Sequence, residues 1–224
     1  MNSFIKLGFI GSYKVELLKY FGRFLTDMDK RVVIADASVE QHLFVTLPSK
    51  NEEETEFQGI SYIANCNTNG KLSKLNQRAC EIILVDFGMN INLTEDYKEC
   101  DILFFVSDFE KHNIMKLLEI SEHIEPGSKI VKVYKDIFPS KINKRYIDYI
   151  LKLEDKGKVL AEYVIEFTER DYQAKLLCQY DDNFSLKYIS KEYKNMFSDI
   201  AEELFQITTK EVTRKLKRAE GLRV

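Results

Sequence analysis

Three short stretches of this 224-residue chain combine residue types that could bind a phosphate and a divalent cation. The first is Gly11-Ser12-Tyr13-Lys14, where glycine lets backbone amides approach an anion and the lysine can neutralise phosphate oxygens. The others are Asp36 and Asp86, each at the end of an apolar run. Two carboxylates suit Mg²⁺, which prefers few carboxylates together with water and phosphate oxygens. The chain therefore carries the ingredients of a phosphate and metal site, provided that the fold brings them together.

The elements that must position these residues alternate between apolar runs and helical patterns, which is typical of an α/β fold with a mostly parallel sheet. Because ligands bind at the carboxyl edge of such a sheet, we expect the turn at Ser12 to lie beside both aspartates. We predict a three-layer sandwich whose sheet has about seven strands. These are Phe4–Ile10, Val32–Asp36, Gly59–Ile63 as an edge strand, Ile82–Asp86, Ile102–Val106, Lys129–Tyr134 and Val159–Phe167.

Helices are predicted where apolar residues recur three and four positions apart. They cover Val15–Leu25, Lys71–Arg78, Glu110–His123, Lys141–Leu153 and Met196–Ile207. Leu43–Leu47 is predicted as a short extra strand, and the acidic run Asn51–Glu56 as a solvated loop. No change of composition marks a linker, so residues 1–207 are predicted to form one domain, followed by a basic tail at 208–224.

The stretches Gly8–Ser38 and Glu81–Gly88 resemble the ParA/MinD group of P-loop ATPases. In that group a strand leads into a Lys-Gly-Gly-x-Gly-Lys-Thr loop, a second strand ends in Asp-x-Asp, and a later strand ends in Asp. Here Lys14 precedes Asp36 by 22 residues, a similar spacing. The resemblance implies a P-loop NTPase-like fold with ATP or ADP and Mg²⁺ as cofactors. It assigns metal binding and catalysis to Asp36 and Asp86, and nucleotide binding to five loop positions: Gly11, Ser12, Tyr13, Lys14 and Val15.

The loop departs from the pattern of that group. It is about three residues shorter and lacks the glycine pair and the first lysine, so the P-loop motif is absent. Tyr13 stands where the last loop glycine belongs, and Val15 where threonine would offer Mg²⁺ a hydroxyl. We therefore expect a degenerate member that acts as a spatial organiser or assembly factor through protein contacts, with weak or no ATP hydrolysis. The alternatives are an active ATP-dependent switch of the ParA/MinD type and an interaction module that binds no nucleotide.

The charge distribution and the spacing of cysteines and histidines limit which ligands and partners we expect for this protein. Residues 208–224 carry a balance of +4 and the rest of the chain −7, so nucleic-acid binding is not expected. We expect the basic tail to be a frayed, solvated end of the chain. The alternative is that it makes weak peripheral contact with a membrane. The four cysteines and three histidines show no metal-ligand spacing. A cytoplasmic protein with a protein partner is expected, and the resemblance adds a homodimer.

Overall fold

An eight-stranded sheet runs through the computed structural model, which describes residues 4–48, 53–68, 70–76, 79–181 and 184–220. The strands lie in the order β3-β4-β2-β5-β1-β6-β7-β8, and all neighbours are parallel except β3 and β4. The expected α/β class with a mostly parallel sheet is confirmed. The strands are β1 Ile5–Gly11, β2 Val32–Asp36, β3 Glu54–Phe57, β4 Ile60–Ile63, β5 Ile82–Gly88, β6 Ile102–Ser107, β7 Lys129–Ile137 and β8 Lys158–Glu166.

Helices cover both faces of the sheet and bury one apolar cluster on each side. Successive residues of β1 show why: Leu7 and Phe9 belong to one cluster, whereas Ile10 belongs to the other. The three layers therefore follow from strands that are apolar on both faces. The α-helices are α1 Val15–Asp27, α2 His42–Val45, α3 Lys71–Leu75, α4 Thr94–Tyr97, α5 Lys111–Ser121, α6 Lys144–Leu151, α7 Leu153–Lys156, α8 Glu169–Tyr180, α9 Lys191–Phe205 and α10 Thr209–Ala219.

The additional strand, β3, lies in the acidic run that composition predicted to be a loop. Glu54–Phe57 pairs antiparallel with Ile60–Ile63 across the turn Gln58-Gly59, whose two residues both have positive φ. Such a two-residue turn matches the twist of a hairpin. The side chains alternate, with Glu54 and Glu56 exposed and Thr55 buried, as in a strand with one buried face. In the strand order, β3 and not β4 forms the edge of the sheet. Asn51 and Glu52 of this run, and the end of the predicted Lys71–Arg78 helix, lie outside the described residues.

Leu43–Leu47 is a helix in its first part and not the predicted strand. The backbone N–H groups of Leu43 and Phe44, at the start of α2, donate to Asp36 Oδ2 over 3.1 and 3.4 Å. A carboxylate that accepts the free amides of a first turn stabilises a helix start. The apolar run alone could not reveal this partner, which comes from the end of β2.

The basic segment after Ile207 is not a frayed end as far as Ala219, because α10 packs against α1 and α9. Val212 is fully buried and Leu216 packs against the same apolar cluster. Lys215 Nζ donates to Met28 O over 2.9 Å, at the end of α1. Within the described ranges, no helix is long and apolar enough to cross a lipid bilayer.

Candidate functional site

The carboxyl ends of β1, β2 and β5 bring the predicted residues to one edge of the sheet. Asp36 and Asp86 are register partners on adjacent strands, and β1 lies on the other side of β5. A pocket of about 220 Å³ opens there. All five predicted loop residues and Asp86 line it, but Asp36 does not; the lining residues include Gly11, Ser12, Tyr13, Lys14, Val15, Ser38, His42, Asp86, His112 and Lys116.

The turn out of β1 is pressed against the backbone of β6. Gly11 has a φ of +131°, and a Cβ there would lie 1.9 Å from Val106 O. The next amide, Ser12 N, donates to the same carbonyl oxygen over 3.1 Å. Gly11 therefore serves the close approach of two strands, and the Ser12 amide is committed to the sheet. This turn therefore has the Ser12 amide already occupied and unavailable to an anion.

Lys14 turns inward and forms an ion pair with Asp86. Its Nζ lies 2.8 Å from Asp86 Oδ1, and the two side chains are only 2% and 5% exposed. The same ammonium donates to Gly11 O over 3.1 Å. Asp86 Oδ1 also accepts from Gly88 N over 2.8 Å. The pocket is thus closed at its base by a cation that belongs to the chain.

Asp36 lies behind Ser38, where five donors surround its carboxylate. Oδ1 accepts from Ser38 N, Ser38 Oγ and Gln41 Nε2 at 2.6–3.2 Å, and Oδ2 accepts the amides of Leu43 and Phe44. Burial, followed by the neighbouring Asp86 charge, raises the pKa of this carboxyl to about 6. The geometry gives Asp36 a structural role, which is to hold the turn into α2.

A buried cluster behind the turn fixes its outer side. Lys135, near the end of β7, donates to Tyr13 O over 3.1 Å and lies 2.5 Å from Glu16 Oε1. Asp136 lies 2.9 Å from the same ammonium. Burial alone lowers the pKa of Lys135, but Glu16 and Asp136 outweigh it and the net pKa is raised. Lys132 and Lys135 both interrupt the apolar residues of β7, and buried lysines of this kind are the sequence signal that could have pointed to this group.

The mouth of the pocket contains polar groups that the spacing of residues did not reveal. Exposed His42 begins α2, and its ring centroid lies 5.5 Å from that of Tyr13. His112 and Lys116, one turn apart on α5, line the opposite wall and are also exposed. Both histidines follow strands that end at this edge of the sheet. Their positions could therefore have been inferred from topology, although not from a ligand motif.

The residues present do not fit a directly bound Mg²⁺. A carboxylate has about four lone-pair positions, and Asp36 already accepts five hydrogen bonds. Asp86 is neutralised by Lys14. In the part of the chain that the structure describes, no group of three or more His, Cys, Asp or Glu residues could hold a metal ion. The pocket is also smaller than the ~300–1,000 Å³ common for small-molecule sites.

No model of a known protein family matches the sequence, and no curated protein matches it either. Solved structures do match the fold. A ParA family ATPase from Chlorobium tepidum superposes with a TM-score of 0.66 at 16% identity, over 91% of this chain and 100% of that one. An ATP complex of McdA from Cyanothece superposes with a TM-score of 0.56 at 11% identity, over 100% of this chain and 99% of that one. A chain of the MinC:MinD cell division protein complex from Aquifex aeolicus superposes with a TM-score of 0.53 at 13% identity, over 98% of this chain and 97% of that one.

These structures share the parallel sheet and its helical layers with this chain over nearly its whole length. Their sequence identities are low, so the likeness is one of fold. The resemblance read from Gly8–Ser38 and Glu81–Gly88 is thereby supported at the level of architecture. The chain has the ParA/MinD-like fold of the P-loop ATPases.

Proposed function

We propose that this protein is a catalytically degenerate member of the ParA/MinD-like fold that acts as a spatial organiser or assembly factor through protein contacts, with weak or no ATP hydrolysis. The observation that carries the proposal is the buried ion pair between Lys14 and Asp86. Phosphoryl transfer needs a lysine and backbone amides on the phosphates and a positioned metal ion. Here the lysine neutralises a carboxylate, and one amide of the turn bonds to β6.

Weak nucleotide binding remains compatible with this proposal. The start of α1 faces the pocket, and exposed Lys116 and His112 line its mouth. A helix N-terminus and two cationic or neutral donors attract phosphate oxygens. If ATP bound there, its negatively charged phosphates would contact these groups. Lys14 would have to break its ion pair with Asp86 to reach the phosphates. That exchange leaves a buried carboxylate without its partner, which opposes tight binding.

The test is the thermal unfolding of the purified chain with millimolar Mg-ATP, Mg-ADP or neither, together with phosphate release. A ligand present at 100 times its Kd stabilises a protein by about 2.7 kcal/mol. We expect a much smaller shift and no phosphate release above background. Lys116→Gln tests the weak site directly, because it removes an exposed lysine from the mouth of the same pocket without breaking a buried ion pair.

Steady ATP hydrolysis by the wild-type chain that disappears in Lys14→Gln would establish the active switch and overturn the proposal. A complete lack of any shift, with any nucleotide, would instead support the interaction module that binds none. A small shift that Lys116→Gln removes, without hydrolysis, is the result that our proposal expects.

A further inference from the structure

One face of α8 is apolar and exposed. Tyr172, Leu176 and Tyr180 are spaced four residues apart, so they lie on one side of the helix. Their exposed fractions are 47%, 42% and 87%. The opposite side, formed by Asp171, Ala174 and Cys178, is buried. A stripe of large apolar groups in water marks an interaction surface more often than an accident of composition.

The sequence of this helix is nearly the same in both directions. From Asp171 to Asp181 it reads D-Y-Q-A-K-L-L-C-Q-Y-D, with Leu176 at the centre. The aspartates, tyrosines and glutamines at equal distances from the centre are identical, and the next pair, Ala174 and Cys178, are both small and buried. The symmetry therefore covers these residue types and the burial of Ala174 and Cys178. It does not include Lys175 and Leu177, which differ, or the burial of Asp171, because Asp181 lies exposed just beyond the end of the helix.

A two-fold axis makes the same surface of two copies meet, so that each residue contacts its symmetric counterpart. On a helix whose sequence is symmetric about its centre, an axis through the central residue brings like against like. Here the side chains on the exposed face tolerate such contacts. Leucine packs on leucine, tyrosine rings stack, and each glutamine amide has both a donor and an acceptor.

We infer that α8 is a homodimer surface, on which α8 of a second copy packs antiparallel about a two-fold axis through Leu176. Tyr172 then lies opposite Tyr180 of the second copy, and Gln173 opposite Gln179 of the second copy. The proposal depends on α8 alone, so it holds or fails independently of nucleotide binding.

Two charged groups of α8, Lys175 and Asp171, are held away from the second copy, whereas exposed Asp181 follows the last residue of the helix and lies at the rim of the contact. Lys175 is directed away from the two-fold axis, because its Nζ lies 5.0 Å from the centre of the Tyr13 ring and 3.5 Å from Asp136 Oδ2. Asp171 is buried and accepts the backbone N–H of Ser190 over 2.7 Å. Like charges would otherwise meet across a two-fold axis and cost binding energy.

The apolar surface continues beyond the Tyr172 end of the helix. The Phe167 ring lies 5.9 Å from that of Tyr172, and the Phe138 ring stacks on Phe167 at 4.5 Å. Phe138 is 60% exposed. One helix pair is small beside the ~1,200–2,000 Å² of a stable interface, so the dimer that we infer is weak and forms at high protein concentration.

Sedimentation velocity of the full chain over a wide concentration range tests the inference. We expect a species of about twice 26.3 kDa that builds up with concentration, with or without Mg-ATP. Leu176→Glu should abolish it, since the two-fold axis sets the two carboxylates against each other. Tyr149→Glu changes an aromatic residue on α6 that is 72% exposed, and should leave the dimer unchanged. Circular dichroism confirms that both variants fold.

A cysteine placed on the two-fold axis gives a second test of the interface, which detects the dimer by crosslinking and does not require the dimer to be broken. Leu176→Cys should form a disulfide-linked dimer on mild oxidation, whereas Tyr149→Cys should not. A wild-type chain that stays monomeric at all concentrations overturns the inference. So does a dimer that persists in Leu176→Glu and leaves Leu176→Cys uncrosslinked, because that dimer would use another face.

Discussion

At the scale of single residues, the Lys14 ammonium occupies the place at Asp86 where a metal ion would have to bind. Its Nζ lies 2.8 Å from the carboxylate, and neither side chain reaches solvent. A buried pair adds little net stability compared with apolar residues, but the loss of one partner leaves a charge without compensation. The ion pair therefore holds the Lys14 and Asp86 side chains in one arrangement at the base of the pocket without a bound ligand.

Lys14→Gln should lower the free energy of unfolding by about 3–5 kcal/mol, because Asp86 is left buried and uncompensated. Lys116→Gln, in the same pocket but exposed, should change it by less than ~0.5 kcal/mol. Adding Asp86→Asn to Lys14→Gln should restore part of the loss. Urea denaturation measures all three, and equal effects of the two lysine variants would contradict this account.

Asp36 should make stability depend on pH in mildly acidic solution. Its pKa in the folded state is about 6, above the ordinary 3.8, so the folded chain binds the proton more tightly than the unfolded chain. Stability from this group is therefore present below pH 4 and is lost as the pH rises through 6, by up to about 3 kcal/mol. Asp36→Asn removes that slope. Denaturation curves at several pH values measure it, and parallel trends in both proteins would exclude the effect.

At the scale of elements, the end of β1 is determined by its contact with β6. Gly11 combines positive φ with a backbone carbonyl where its Cβ would be, so no other residue fits without moving a strand. The shortened turn then enters α1 directly, and Lys14 at the helix start is directed back over the sheet. Strand packing is by itself enough to require this glycine.

Gly11→Ala should destabilise the fold by about 2–5 kcal/mol, from backbone strain and the clash with Val106 O. Gly127→Ala is the matched control: Gly127 also has positive φ, but a Cβ there has no neighbour within 4 Å. It should cost only the ~1–2 kcal/mol of the left-handed backbone. Thermal unfolding compares the two, and a Gly11→Ala protein as stable as the control would show that the strands can separate.

At the scale of the whole molecule, the charge is divided between an acidic body and a basic final helix. The apolar side of α10 is already used, since Val212 and Leu216 pack on α1 and α9. Lys215 bonds to the end of α1 as well. Only the outer basic residues remain for another partner, so contact of this helix with a membrane stays a prediction that rests on charge alone.

We expect no complex with nonspecific duplex DNA at about 10⁻⁵ M protein and ~0.15 M salt, because binding there needs a continuous basic surface. Gel-shift or anisotropy titration measures this. Any complex at low salt should weaken when Lys210 and Lys217 are both changed to Ala. Binding that survives physiological salt and both substitutions would point to a basic surface elsewhere.

Much of the architecture could be predicted from apolar periodicity. The central strands are apolar on both faces, and this alone places helices on each side. The edge hairpin was harder, because Glu54 and Glu56 resemble a solvated loop until Thr55 is seen to face inward. Residues 170–190 showed little periodicity, since the exposed side of α8 is also apolar.

The order of the apolar strands was enough to predict that the turn at Ser12, Asp36 and Asp86 lie together, because parallel strands present their carboxyl ends at one edge. The interactions that these residues make there became visible only in the folded chain. Whether Lys14 faces solvent or Asp86, and whether Asp36 is open or enclosed by amides from α2, depends on side-chain directions and on contacts between distant segments. Such choices are settled by packing and desolvation, which no local pattern of residues encodes.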